Sequence, residues 1–109
     1  MIKKILIIGG TREGNKLASF FEDHNLKYII SYAGVIKEVF KKNFKKRVGG
    51  FGGIVGISDY IKKNKITHVI DASHPFSPKI SLNTLNACKS HNTPIIRYTR
   101  KPWLQIKGD

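Results

Sequence analysis

Residues 2 to 14 read IKKILIIGGTREG. The first seven form a short apolar segment rich in β-branched isoleucine, which fits a strand, and the six that follow, GGTREG, form a glycine turn. Beyond the turn, Leu17, Phe20, Phe21 and His24 recur at i, i+3, i+4 and i+7. That spacing predicts a helix face ending near Asn25. A strand, a glycine turn and a helix in immediate succession open an α/β unit, and the rest of the chain repeats the alternation.

The second strand is KYIISYA, residues 27 to 33, followed by a lysine-rich helical or irregular stretch over about 36 to 46. A short third strand at Arg47 and Val48 runs into GGFGG, and Ile54, Ile57 and Ile61 mark an amphipathic helix closing near Asn64. THVIDA, residues 67 to 72, is the fourth strand. Ser77 and Pro78 read as an N-cap and a first helical position, starting a helix that carries Leu82 and Leu85, and TPIIRYT, residues 93 to 99, is the fifth strand. These elements predict one Rossmann-like domain over residues 1 to 109, a doubly wound parallel α/β sheet of about five strands in the order 3-2-1-4-5. Ligands of such sheets bind at the carboxyl ends of the strands where the winding reverses. Here that crevice lies between the first and fourth strands, so GGTREG and DASHPF are expected to converge.

The chain has 109 residues, 40% of them hydrophobic, enough for one core. No apolar run approaches the roughly 20 residues that span a bilayer, and the opening apolar run is too short for a secretory signal, so a cytoplasmic location is expected. A single cysteine, Cys88, permits no internal disulfide; three residues beyond Leu85 it reads as a buried structural thiol, and no metal site is expected. Twenty Lys and Arg against seven Asp and Glu leave a formal net charge of +13. That excess suits a nucleic acid, a phosphorylated cofactor or a polycarboxylate substrate, and equally an unselected lysine-rich surface.

GGTREG is a modified dinucleotide fingerprint, with Gly9 and Gly14 at its outer glycine positions and Thr11 in place of the middle one. Gly9 and Gly10 allow a tight turn and close approach of a pyrophosphate to the following helix N-terminus. After the second strand, where NAD-specific domains carry an acid, stand Ser31, Gly34 and Lys37, with no acid before Glu38. That pattern leans toward NADP. In GGFGG, Gly49, Gly50, Gly52 and Gly53 surround Phe51, which suggests backbone held close to a ligand with the ring against a planar group. In VIDASHPFS, residues 69 to 77, His74 is a proton donor, a hydrogen-bond donor to a carboxylate, or a turn residue. Asp71 either orients His74 or ties down neighbouring backbone N–H groups, Pro75 restricts the turn, and Phe76 faces the core or the crevice.

Taken together, GGTREGNKLA, RVGGFGG, IDASHPFS with ISLN following, and IRYTRKPW resemble the precorrin-6A reductase family, including its cobalt-precorrin-6A counterpart. The resemblance runs over essentially all 109 residues and corresponds to the amino-terminal half of that family, its second domain being absent. It implies NADPH-dependent reduction of a double bond in a corrin precursor macrocycle, a polycarboxylate tetrapyrrole, between two Rossmann-like domains in cobalamin biosynthesis. It assigns Gly9, Gly10, Thr11, Glu13, Gly14, Ser31 and Gly34 to the cofactor, with Gly50, Phe51 and Gly52 of the glycine loop, and sets the GGFGG and DASHPF segments at the border of the nicotinamide and the macrocycle. Asp71, Ser73, His74, Pro75 and Phe76 would border the macrocycle, and Arg97 and Arg100 would meet its carboxylates. No single residue is assigned as catalytic. The family's arginine after Ala-Gly is replaced by Val35, leaving Lys37 to take its place, while Ser73 and Ser77 stand for a threonine and an alanine. A half-length chain implies a separate second half or a homo-oligomer as partner. Two other readings compete. One is a single-stranded nucleic-acid module built on residues 37 to 47, KEVFKKNFKKR, where Lys41, Lys42, Lys45, Lys46 and Arg47 interleave with Phe40 and Phe44. Packing both phenylalanines inward is the simpler account of that spacing. The other is a remnant domain without activity.

Overall fold

A computed structural model describes residues 2–34, 44–75 and 77–98. Five parallel strands, β1 (Ile5–Ile8), β2 (Tyr28–Tyr32), β3 (Lys46–Val48), β4 (His68–Asp71) and β5 (Ile95–Arg97), form one sheet in the order β3-β2-β1-β4-β5. Three helices connect them: α1 (Arg12–Asp23), α2 (Gly53–Lys63) and α3 (Pro78–Ser90). This is the expected doubly wound architecture. The strands are shorter than the apolar runs suggested, β1 by three residues at its start and β5 at both ends.

The winding follows from β1. It pairs with β2 on one side and β4 on the other, Ile7 standing opposite both Ile30 and Ile70. A central parallel strand must be covered on both faces. Leu6 and Ile8 point into a core shared with Ile57 and Ile61 of α2 and Ala87 and Cys88 of α3. Ile7 points the opposite way, into a core with Ala18 and Phe21 of α1 and with Tyr28, Ile30 and Phe44. Alternate residues of one strand thus carry the two layers. Phe44 is buried, as the inward-packing account of its segment requires; Val35, Lys37, Glu38, Phe40, Lys41 and Lys42 lie outside the described residues, and Lys46 and Arg47 belong to β3.

Two helix faces differ from the expected ones. On α1 the buried stripe is Gly14, Ala18 and Phe21, while Phe20 is 51% exposed and stacks on His24 at 4.1 Å. On α3 it is Thr84, Ala87 and Cys88, with Leu82 and Leu85 turned outward. The cause is the same in both. Small side chains fit where a helix packs tightly on the layer beneath it, so Gly14 and Ala18 on α1 and Thr84, Ala87 and Cys88 on α3 lie inward beside larger apolar residues that do not, while Phe21 is buried as expected. Thr84 is tolerated there because its hydroxyl donates to the Ile80 carbonyl at 2.7 Å. On α2, Ile57 and Ile61 are buried as expected, and Ile54 lies at the rim, 39% exposed. The Cys88 thiol is buried, and burial pushes its pKa up to about 11.

All three helices end in the same way. Asn25, Lys65 and Asn92 adopt positive φ of 55°, 54° and 51°. The next residues then bond back into the last turn: Leu26 N–H to Phe21 at 3.0 Å, Ile66 to Ile61 at 2.9 Å, and Thr93 to Cys88 at 2.9 Å. Asparagine tolerates this conformation and lysine does so at a cost. Lys65→Gly should therefore stabilise the domain by about 1 kcal/mol, read as a higher urea midpoint with unchanged slope. An unchanged or lower midpoint would contradict the strain at this turn.

Candidate functional site

At the carboxyl end of β1 the chain has no room for a side chain. A Cβ on Gly9 would stand 2.9 Å from Ile30 Cγ1 and 3.1 Å from the Ser31 carbonyl oxygen, to which the Gly9 N–H donates at 2.7 Å. Gly10 then turns at φ 120°, its outer side open. Thr11 is the N-cap of α1 and accepts the Gly14 N–H at 3.1 Å on its hydroxyl oxygen. The same hydroxyl donates to the Ala72 carbonyl at 2.6 Å. One side chain thus joins the glycine turn to the end of β4, and the expected convergence of GGTREG with DASHPF is built on it. Gly14 completes the contact: a Cβ there would meet Ala72 Cβ at 3.3 Å. The N–H groups of Arg12 and Glu13 have no protein acceptor among the described residues and stand at the positive end of the helix dipole.

The end of β4 is organised by a buried carboxylate. Asp71 Oδ1 accepts from the Ser73 backbone N–H at 3.0 Å and from the Ser73 hydroxyl at 2.6 Å. Its Oδ2 pairs with Arg97 Nη1 at 2.8 Å across the β4–β5 register, where the two residues are direct partners. Ser81 of α3 closes the cluster, its hydroxyl 3.0 Å from the Ser73 hydroxyl and bonded by Arg97. A carboxylate this deeply buried needs that full set of donors. Of the two roles considered for Asp71, the geometry displays the tying-down of backbone N–H. His74 is exposed, and its carbonyl accepts the Ser77 N–H at 2.9 Å; Pro75 is half-buried beside it. Ser77 occupies the N-cap position of α3 with Pro78 following, but its side chain makes no capping bond. Phe76 and Arg100 lie outside the described residues.

The third wall is the loop after β3. Arg47 reaches across to β2, where Nη1 donates to the Ser31 hydroxyl at 2.7 Å and to the Gly49 carbonyl at 3.0 Å, and Nη2 donates to Gly50 at 3.3 Å. Its guanidinium lies over the Phe51 ring at 4.0 Å, and Phe51 meets Tyr60 of α2 edge-on at 5.4 Å. Burial pushes the Tyr60 phenol up, with Arg47 pulling the other way. Phe51 is therefore held by α2 on one side and by Arg47 on another. Gly49, Gly52 and Gly53 take positive φ and face open space, as does Gly50, while a Cβ on Gly56 would overlap the Phe51 carbonyl. Gly34 at the end of β2 is open as well.

Arg47 and Ser81 are organising residues of the crevice that sequence reasoning did not identify: Arg47 was read only as part of the third strand and of a basic run, and Ser81 only as part of the ISLN motif. Arg47 was hidden in a lysine run, and the available signal was its place immediately before a glycine loop containing an aromatic ring. Removing the Thr11 hydroxyl should test the closure. Thr11→Val is expected to cost about 1–2 kcal/mol in urea unfolding, with Thr11→Ser close to the parent. An equal loss in both variants would assign the effect to packing of the methyl group.

Comparison with known proteins places this geometry. The family described as Precorrin-6x reductase CbiJ/CobK matches residues 4–109. A precorrin-6A reductase of Rhodobacter capsulatus is 36% identical over 106 residues, covering 97% of this chain and 42% of the relative. The cobalt-precorrin-6A reductase of Salmonella typhimurium is 30% identical over 100 residues, covering 88% of this chain and 37% of the relative. The solved structure of CobK precorrin-6A reductase superposes with a TM-score of 0.88 at 35% identity, covering 99% of this chain and 43% of that one. The chain thus spans about two fifths of the length of the proteins it matches. With a family match over nearly the whole chain and a backbone that superposes on a solved relative, the chain belongs to the precorrin-6x reductase CbiJ/CobK family.

Proposed function

We propose that this chain is the NADPH-binding part of a precorrin-6A or cobalt-precorrin-6A reductase. The observation that carries the proposal is the Thr11–Ala72 bond, which sets the glycine turn and the open N–H groups of Arg12 and Glu13 at the reversal point of the sheet. The residues fit a dinucleotide. Gly10 leaves space where a side chain would obstruct a pyrophosphate, and the start of α1 offers donors and a positive dipole end to it. Bound there, NADPH supplies the hydride.

The remaining roles belong to the chain's own groups. Gly9 and Gly14 hold turn and helix close against β2 and β4. The loop Gly50–Phe51–Gly52, expected beside the nicotinamide, is fastened instead to the end of β2 through Arg47 and Gly49, and with Ser31 and Gly34 it is assigned to the adenosine side of the crevice. Asp71 and Ser73 keep the start of the β4 loop rigid, which presents His74 and Pro75 toward the substrate side. Arg97 keeps its side chain 42% exposed while paired with Asp71, and with Arg100 it offers positive charge to a substrate rich in carboxylates. Positioning two ligands and shielding the transfer from water is the work such a site has to do. The substrate face is completed by the part of the relatives that this chain does not match.

The test is a thermal-shift titration of the 109-residue chain with NADPH, NADH and polyphosphate. NADPH at one hundred times its Kd should stabilise the fold by about 2.7 kcal/mol, with a smaller response to NADH and little to polyphosphate. Equal shifts with polyphosphate would reduce the effect to net charge, and no shift with either dinucleotide would refute the reading.

A further inference from the structure

Most of the positive charge of this chain is carried by lysines, whereas Arg47 is half-buried and fixed in place. Its side chain projects from β3 beside the end of β2, Arg47 and Ser31 being direct register partners. A guanidinium has five N–H groups. Three are engaged by the Ser31 hydroxyl and the Gly49 and Gly50 carbonyls, which leaves Nε–H and one Nη2–H uncommitted. Phe51 and Tyr60 supply the flanking rings at 4.0 and 5.2 Å. Every one of these partners is neutral, and among the described residues no carboxylate pairs with Arg47. The contrast with Arg97 is direct, since Arg97 is opposed by Asp71 at 2.8 Å. Arg47 thus holds an unneutralised charge in a rigid frame, with donors to spare, at the strand ends flanking the crevice.

The end of β2 is where dinucleotide domains read the adenosine ribose: an acid there grips the free hydroxyl, and an arginine nearby accepts a 2′-phosphate. No acid occupies residues 31 to 37 of this chain. We propose that Arg47 recognises the 2′-phosphate of the dinucleotide and so sets the preference for the phosphorylated cofactor, a role the sequence pattern would otherwise leave to Lys37. The inference rests on the crevice being a dinucleotide site. Arg47 is suited to the task because its Ser31 and loop-carbonyl bonds orient the fork before a ligand arrives, which reduces the ordering cost of binding. The cation reaches the β2 end from the neighbouring strand instead of following it in sequence.

Calorimetric Kd values of the 109-residue chain for NADP+ and NAD+, with 2′,5′-ADP and 5′-ADP as fragments, test the assignment. The parent should prefer each 2′-phosphorylated ligand over its partner. Arg47→Gln should weaken NADP+ by about tenfold or more, the scale of a lost charge-assisted hydrogen bond, while NAD+ changes by less than about twofold. Arg47→Lys should fall between, keeping the charge without the fork. Equal weakening of both dinucleotides would make Arg47 only a fastener of the glycine loop and overturn the proposal, as would no effect on NADP+. If neither variant melts cooperatively, the Nε–H resonance of Arg47 in the parent provides the reading. It should shift with 2′,5′-ADP and stay in place with 5′-ADP, and the reverse or no shift overturns the proposal. A parent that binds both dinucleotides equally removes the role of Arg47 and leaves the crevice reading intact. A parent that binds neither removes both.

Discussion

The hydroxyl of Thr11 is the joint on which this structure turns. It caps α1 through the Gly14 N–H and, by donating to the Ala72 carbonyl, fastens the first turn of that helix to the end of a strand sixty-one residues later. The second bond depends on β1 lying beside β4. Leu6 and Ile8 serve one layer and Ile7 the other, so the strand is dry on both sides and its end emerges between β2 and β4. The crevice follows from that placement. The glycine turn fills its floor, where a larger residue would strike Ile30.

Around this floor the charges are arranged in two different ways. Asp71 is buried and fully provided with donors, so the β4 end is stiff and its arginine is compensated. Arg47 on the opposite flank is bonded only to neutral groups. Two arginines at strand ends thus offer different things. One locks β4 to β5, and the other carries an open charge beside the end of β2. The large formal charge of the chain distinguishes neither, because exposed lysines spread over a surface are screened by salt while a half-buried guanidinium is not.

Much of the fold was legible. Strand order followed from the alternation of apolar runs and helical periods, and the glycine turn located the crevice. Helix faces were less legible: Phe21 and Cys88 are buried as expected, but apolar size also pointed to Phe20 on α1 and Leu82 on α3, and Gly14, Ala18, Thr84 and Ala87 lie inward in their place. Hydrophobic periodicity measures the side chains alone and carries no distance between helix and sheet. The motif residues were recognisable as a set, but their division into binding and bracing groups was not. Ser31 is bonded by Arg47, and Asp71 by Ser73 and Arg97.

By itself the sequence determined the element order, the parallel sheet, the family resemblance and the two segments that meet at the crevice, because these rest on local periodicity and on chain connectivity. Tertiary structure decided which small residues line the helix contacts, that Thr11 rather than a glycine closes the turn, and that Arg47 stands beside Ser31. Those facts depend on side chains that are distant in sequence sharing one register: Thr11 meets Ala72 and Arg47 meets Ser31 only once β1, β2, β3 and β4 have paired.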